Sequence, residues 1–260
     1  MKSNGYSKFD HPHVTQFLFH PRPDTKVASV TGQDLYIPIE NEIQIHARAH
    51  LSQKNFKTIL FFHGNGEIVS DYDELSHLFE EHKLNFIVFD YRGYGKSTGS
   101  PSVSTMINDS HIIFKWIKKW LIENGYKDQL IIMGRSLGSA CALEIAASYE
   151  TEIKGLIIES GFAHAIPLLK LIGVDTDSLQ ITDDKIGNIS KIKKFHLPTL
   201  IIHALHDHII PYSDAEDLLS ESNASQKNLV CIKGADHNSI FFVGMKEYLT
   251  SIQNFSQELT

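Results

Sequence analysis

Apolar positions along the chain fall into two kinds of run. From about Ala28, and clearly at residues 34–39 and 43–49, they alternate with polar ones, broken by Glu40, Asn41 and Glu42. Alternation with a polar interruption predicts a β-hairpin with one solvated face. From residue 57 the pattern changes. Residues 58–62, 85–89, 129–133, 153–158, 198–203 and 228–232 are near-continuous apolar runs. Such runs suit parallel strands covered on both faces. Segments with a helical period lie between them. Leu75, Leu78 and Phe79 make one stripe at 74–81, with Ser70 and Asp73 placed to cap it. Met106, Ile113, Ile117, Trp120 and Leu121 make another after Pro101 and Ser102, ended by Asn124 and Gly125. Further helices are predicted at 140–148, after Pro211, and over 239–253.

A hairpin followed by repeated strand–helix units predicts an α/β architecture with a mostly parallel sheet. Residues 1–26 hold three prolines and little periodicity and read as an N-terminal arm, anchored on the core by Phe17, Leu18 and Phe19. Residues 27–260 then form the main domain. Within it, residues 161–197 interrupt the alternation with an apolar stretch at 166–172 and an acidic tract at 175–184. This predicts a small insertion after the sixth strand, read either as a lid or as a plain surface crossover.

The chain has 260 residues, 42% hydrophobic and 21% charged, which supports a full-sized core. A formal net charge of −7 argues against a general nucleic-acid binder. The two cysteines, Cys141 and Cys231, lie in no zinc or redox spacing, and a disulfide between them is not expected. The polar start of the sequence lacks the apolar segment of a secretory signal, and no run reaches membrane-spanning length. A cytoplasmic setting is the expectation.

The candidate chemistry centres on Gly134-Arg135-Ser136-Leu137-Gly138. An apolar run precedes it and a helical segment comes after. In that context a G-x-S-x-G pentapeptide is a sharp strand-to-helix turn that exposes the serine hydroxyl. The glycines are needed because a side chain at either flank would strike the adjoining strand and helix. A neutral serine needs a general base, and the base needs an acid to orient it. Loops at the strand ends supply both: Asp207 after the strand ending at His203, and His237 after the strand ending near Ile232. Backbone N–H groups of Leu137 and of Asn65, in His63-Gly64-Asn65-Gly66-Glu67, are placed to stabilise an oxyanion, with Gly66 the alternative to Asn65. Glu159 is the reserve candidate for the acid.

Taken with Asp90-Tyr91-Arg92-Gly93-Tyr94-Gly95-Lys96-Ser97, these motifs resemble the α/β-hydrolase superfamily, in which the nucleophile, acid and base occur in this chain order. Within it the chain is similar to the Bem46-like group and to mammalian α/β-hydrolase-domain depalmitoylases. The likeness runs from about Phe17 to the C-terminus. It implies the α/β-hydrolase fold, with helices on both faces of the sheet, and a serine hydrolase. Ester or thioester bonds are the expected substrates, in small-molecule or acylated compounds, with no cofactor. A peptidase, amidase or acyltransferase using the same triad, or a silent binding protein, are the alternatives. Asp236 stands where a glycine is common before the histidine.

Several other features invite and resist a reading. Gly95-Lys96-Ser97 lacks the upstream glycine of a phosphate loop, since Asp90 stands there; Asp90 and Arg92 are expected to bond neighbouring backbone. His203, His206 and His208 flank Asp207 without a second ligand cluster, so no metal is expected. The turn is expected to point Arg135 away from the site. Glu67 either borders the pocket or caps the next helix, and His63 is read as a structural hydrogen-bonding residue. The oligomeric state is not legible in the sequence.

Overall fold

A computed structural model describes residues 5–25 and 32–259. Eight strands form one sheet in the order β1-β2-β4-β3-β5-β6-β7-β8. They are β1 (Gln33–Glu40), β2 (Ile43–His50), β3 (Lys57–Phe62), β4 (Leu84–Phe89), β5 (Leu130–Arg135), β6 (Gly155–Glu159), β7 (Thr199–Ala204) and β8 (Lys227–Ile232). The pairs β1/β2 and β2/β4 are antiparallel, and every later pair is parallel. Ala28, where alternation was expected to begin, lies outside the described residues.

Helices α1 (Pro12–Leu18), α2 (Asp73–Glu81), α3 (Val103–Glu123), α4 (Ser139–Ser148), α5 (Ala165–Leu171), α6 (Ile189–Ile192), α7 (Tyr212–Glu221) and α8 (Ile240–Glu258) divide between the two faces. Met106, Ile113, Leu143 and Leu218 join the core on the face of α3, α4 and α7. Phe79, Tyr248 and Ile252 join the core on the face of α2 and α8. The fully buried runs β3 to β7 are apolar because helices cover both their faces. Ser102 caps α3, and the chain leaves that helix through Asn124 and the left-handed Gly125.

Three local expectations need correction. The arm is not irregular: α1 forms there, with Val14, Leu18 and Phe19 buried, while Phe17 stays 38% exposed. The hairpin keeps its solvated face on β1, at Tyr36 and Pro38, but on β2 only Gln44 is exposed, and His46, Arg48 and His50 are buried. Arg48 bonds Asp34 and Asp73, and His46 bonds Asp90 at 2.9 Å, so the polar face of β2 is covered through ion pairs rather than water. Ser70 does not cap α2; a tight turn at Val69–Tyr72 precedes that helix, and Ser70 donates to Asp24 instead.

Strand register brings the loops at the strand ends together. Phe62 lies opposite Gly134, which sets the loop after β3 beside the turn after β5. Arg135 lies opposite Glu159. This is the crevice at the carboxyl ends of parallel strands, where such sheets bind ligands.

Candidate active site

Ser136 comes directly after the last residue of β5 with φ of 50°, a left-handed conformation that costs a side-chain-bearing residue about 1–2 kcal/mol. The flanking glycines make this turn possible. A Cβ on Gly134 would sit 2.6 Å from Cβ of Ala142, and one on Gly138 would run into the carbonyls of Phe62 and His63. Ser139 Oγ donates to the Ser136 carbonyl at 2.6 Å and fixes the start of α4. The Ser136 side chain is part-exposed, so its hydroxyl is reachable.

The structure brings the three nominated side chains into one hydrogen-bonded line. His237 Nε2 lies 3.0 Å from Ser136 Oγ, and His237 Nδ1 lies 2.6 Å from Asp207 Oδ2. A carboxylate on Nδ1 fixes the proton there and leaves Nε2 free to accept from the serine. Asp207 Oδ1 accepts the N–H groups of Ile209 and Ile210 at 2.9 and 2.8 Å. Burial works to raise the Asp207 pKa. The hydrogen bond and charge of His237, with the two N–H groups, outweigh that and leave it lowered. Asp236 Oδ1 accepts from Asn238 N–H, Ser239 N–H and Ser239 Oγ, which folds the turn that carries His237.

The loop after β3 is equally fixed. Asn65 Oδ1 accepts from His20 N–H at 2.9 Å and from the Tyr94 hydroxyl at 2.7 Å. No protein acceptor takes the N–H of Asn65 or of Gly66 among the described residues, so both remain free to face a ligand. Leu137 begins a helix, so its N–H has no intrahelical carbonyl to meet. The cleft above Ser136 encloses about 340 Å³. Phe17, Leu168, Ile172 and Ile209 give it apolar walls.

The remaining nominated residues lie elsewhere in the network. The carboxylate of Glu159 is taken by Arg135 and by the Tyr248 hydroxyl. His63 Nδ1 bonds the Gly64 carbonyl at 2.7 Å. His203 Nε2 bonds the Ile210 carbonyl, and burial lowers its pKa, so it stays neutral. His206 and His208 are exposed. Asp90 does bond backbone, at Val69 N–H, but Arg92 is held by the carboxylates of Asp109 and Glu40 instead.

Arg135 was underrated in the sequence. As expected it turns away from the cleft above Ser136, but it is 8% exposed and joins the loop after β3, the end of β6 and the loop of His237. Nε bonds Glu67 Oε1 at 2.8 Å, Nη1 bonds Glu159, and Nη2 donates to the His237 carbonyl at 2.9 Å. Glu67 does more than border a pocket or cap a helix. It also accepts the Gly64 N–H at 2.6 Å, beside Asn65. Burial tends to raise the Glu67 pKa, but the Arg135 charge and hydrogen bond and the Tyr72 hydroxyl bring it down to about 2. The sole hint in the sequence was a charged residue inside the turn motif.

A family model described as serine aminopeptidase, S33 (Hydrolase_4), matches residues 53–174. The YfhR protein of Escherichia coli is 30% identical over 189 residues, which are 71% of this chain and 64% of YfhR. The chain therefore spans less than two thirds of that relative. Human α/β-hydrolase domain-containing protein 17B is 32% identical over 209 residues, covering 78% of this chain and 67% of that protein. Among solved structures, the esterase Pf2001 of Pyrococcus furiosus superposes with a TM-score of 0.75 at 16% identity, over 93% of this chain and 99% of its own. No helix among the described residues is long and apolar enough to cross a membrane. Sequence relatives and sheet topology agree, and the chain belongs to the α/β-hydrolase superfamily.

Proposed function

We propose that this chain is a serine hydrolase that cleaves carboxylic ester or thioester bonds through an acyl-enzyme on Ser136. The observation that carries the reading is the Ser136–His237–Asp207 line, with contacts of 3.0 and 2.6 Å. Ser136 Oγ attacks the acyl carbon while its proton passes to His237 Nε2. The carbonyl oxygen becomes an oxyanion that takes the N–H groups of Leu137 and Asn65. The bond to the leaving oxygen or sulfur then breaks, and that atom takes the proton from His237. Water attacks the acyl-enzyme as His237 accepts its proton; the bond from the acyl carbon to Ser136 Oγ then breaks, Oγ takes that proton back from His237, and the carboxylic acid is released. Asp207 holds the imidazole tautomer and stabilises its cationic form.

The apolar walls of the cleft favour an acyl group over a charged one. Leu168 and Ile172 come from residues 161–197, which supports their role as a small cap on a domain of residues 27–260. The free thiols of Cys141 and Cys231 suit a cytoplasmic setting. The match to the serine aminopeptidase model keeps amide cleavage by the same residues as a second reading.

Intact-mass labelling with a fluorophosphonate tests the nucleophile. One adduct on the wild type, absent from Ser136→Ala, is the expected result. A folded wild type that takes no label would overturn the reading. Turnover of p-nitrophenyl esters of rising chain length, against acyl thioesters and p-nitroanilides, then separates the bond classes.

A further inference from the structure

A second cavity lies between α2 and α8, on the opposite face of the sheet from α3 and α4. It encloses about 280 Å³. That is close to the lower end of small-molecule sites, roughly 300 Å³. It shares only Glu67 and Asn238 with the cleft above Ser136. No step of the proposed hydrolysis uses it.

Its lining combines two properties. Seven of its fifteen residues are aromatic, with Phe79 from α2, Phe61 and Phe86 from the sheet, and Phe241, Phe242 and Tyr248 from α8 among them. Its charged residues are four carboxylates against the single guanidinium of Arg135. Asp71 is matched by Arg22. Arg135 is divided between Glu67 and Glu159, so those three groups carry net negative charge. Glu74 is exposed at the rim and has no ion-pair partner among the described residues.

The tyrosines sharpen this polarity. Tyr72 donates its hydroxyl to Glu67 at 2.5 Å, and Tyr248 donates to Glu159 at 2.7 Å. A phenol that donates to a carboxylate gains electron density in its ring, which makes the ring face more negative. Phe242, 80% exposed at the start of α8, adds a further aromatic ring to the lining.

We propose that the cavity between α2 and α8 binds a small organic cation of the alkylammonium type, held by aromatic faces and by the surplus of carboxylates. An anion would meet net repulsion there. A neutral hydrocarbon would gain nothing from the charge. The site shares the Arg135, Glu67 and Glu159 network with the cleft above Ser136, but its binding is read without turnover and so stands apart from the proposed hydrolysis.

Calorimetric titration of the full chain with phenyltrimethylammonium, compared with tert-butylbenzene, tests the proposal. The two probes share a shape and differ in charge. The cation is expected to bind about tenfold tighter or more. Glu74→Lys, at an exposed position, should weaken the cation roughly fivefold and leave the hydrocarbon unchanged. Leu75→Trp, which fills the cavity from α2, should abolish binding of both. Three results would each overturn the proposal: no cation binding at millimolar concentration, equal or tighter binding of tert-butylbenzene, or unchanged cation affinity in both variants.

Discussion

Replacing Arg135 should damage turnover and stability by separable routes. Its guanidinium sits between the carboxylates of Glu67 and Glu159 and also holds the His237 carbonyl at 2.9 Å. In Arg135→Met the two carboxylates lose their shared cation. Leaving a buried charge uncompensated costs about 3–5 kcal/mol. Domains of this kind have a stability of about 5–15 kcal/mol, so the variant should remain folded at low temperature with a lower urea midpoint. The bond to the His237 carbonyl is charge-assisted and worth about 1.5–3 kcal/mol. Without it the loop carrying the imidazole loses its register against Ser136, and a displacement near 1 Å costs about a hundredfold in rate. The expected kinetic signature is a fall in kcat of about one to two orders of magnitude with little change in KM. Arg135→Lys restores a charge but cannot reach three partners, so it should recover stability better than kcat. The triple variant Arg135→Met, Glu67→Gln, Glu159→Gln removes the whole ionic set. It should recover much of the stability, because neutral replacement of a buried network costs less than breaking it. It should not recover kcat. Urea unfolding and p-nitrophenyl ester kinetics on these variants decide the matter. A kcat within twofold of wild type in Arg135→Met would refute a positioning role.

Three further outcomes are expected from the same geometry. Asp207→Asn should fold normally and lower kcat by about 10⁴, because an amide in place of the carboxylate favours the wrong imidazole tautomer; near-normal turnover by ester assay would return the acid role to another group. Asn65→Ala removes the acceptor for His20 N–H and Tyr94 but keeps the backbone N–H. It should open the arm around His20 to limited proteolysis while reducing kcat less than tenfold, since the oxyanion donor proposed above is a backbone N–H. Glu67 has a folded pKa of about 2, below its ordinary 4.5. Its contribution is therefore complete above pH 4.5 and fades as pH falls toward 2. A shift of that size is worth about 3 kcal/mol. Urea unfolding at about pH 7, 4 and 3 should show a steeper loss for wild type than for Glu67→Gln, and parallel losses would contradict the depressed pKa.

How much of the molecule the sequence discloses depends on the range over which each interaction acts. The strands β3 to β7 were legible because burial on both faces writes itself into consecutive residues. Helix α3 was legible because its cap and its glycine stop are local signals. Helix α1 was missed because seven residues are too few for a period to register, and its stability comes from burying Val14 and Leu18. The polar face of β2 misled for a different reason. His46, Arg48 and His50 look like solvated positions in any window of sequence, and only the carboxylates of Asp34, Asp73 and Asp90 offset the cost of burying them. The same distinction divides the candidate site. Ser136, Asp207 and His237 could be nominated because each occupies a loop at a strand end, and the topology fixes where such loops meet. Arg135 could not be given its role from sequence, because its partners lie 68, 24 and 102 positions away. Only the register that sets β3, β5 and β6 side by side brings Glu67 and Glu159 to either side of one guanidinium. That Arg135 turns away from the cleft was legible in the turn motif; that it joins the loop of Asn65, the turn of Ser136 and the loop of His237 was not.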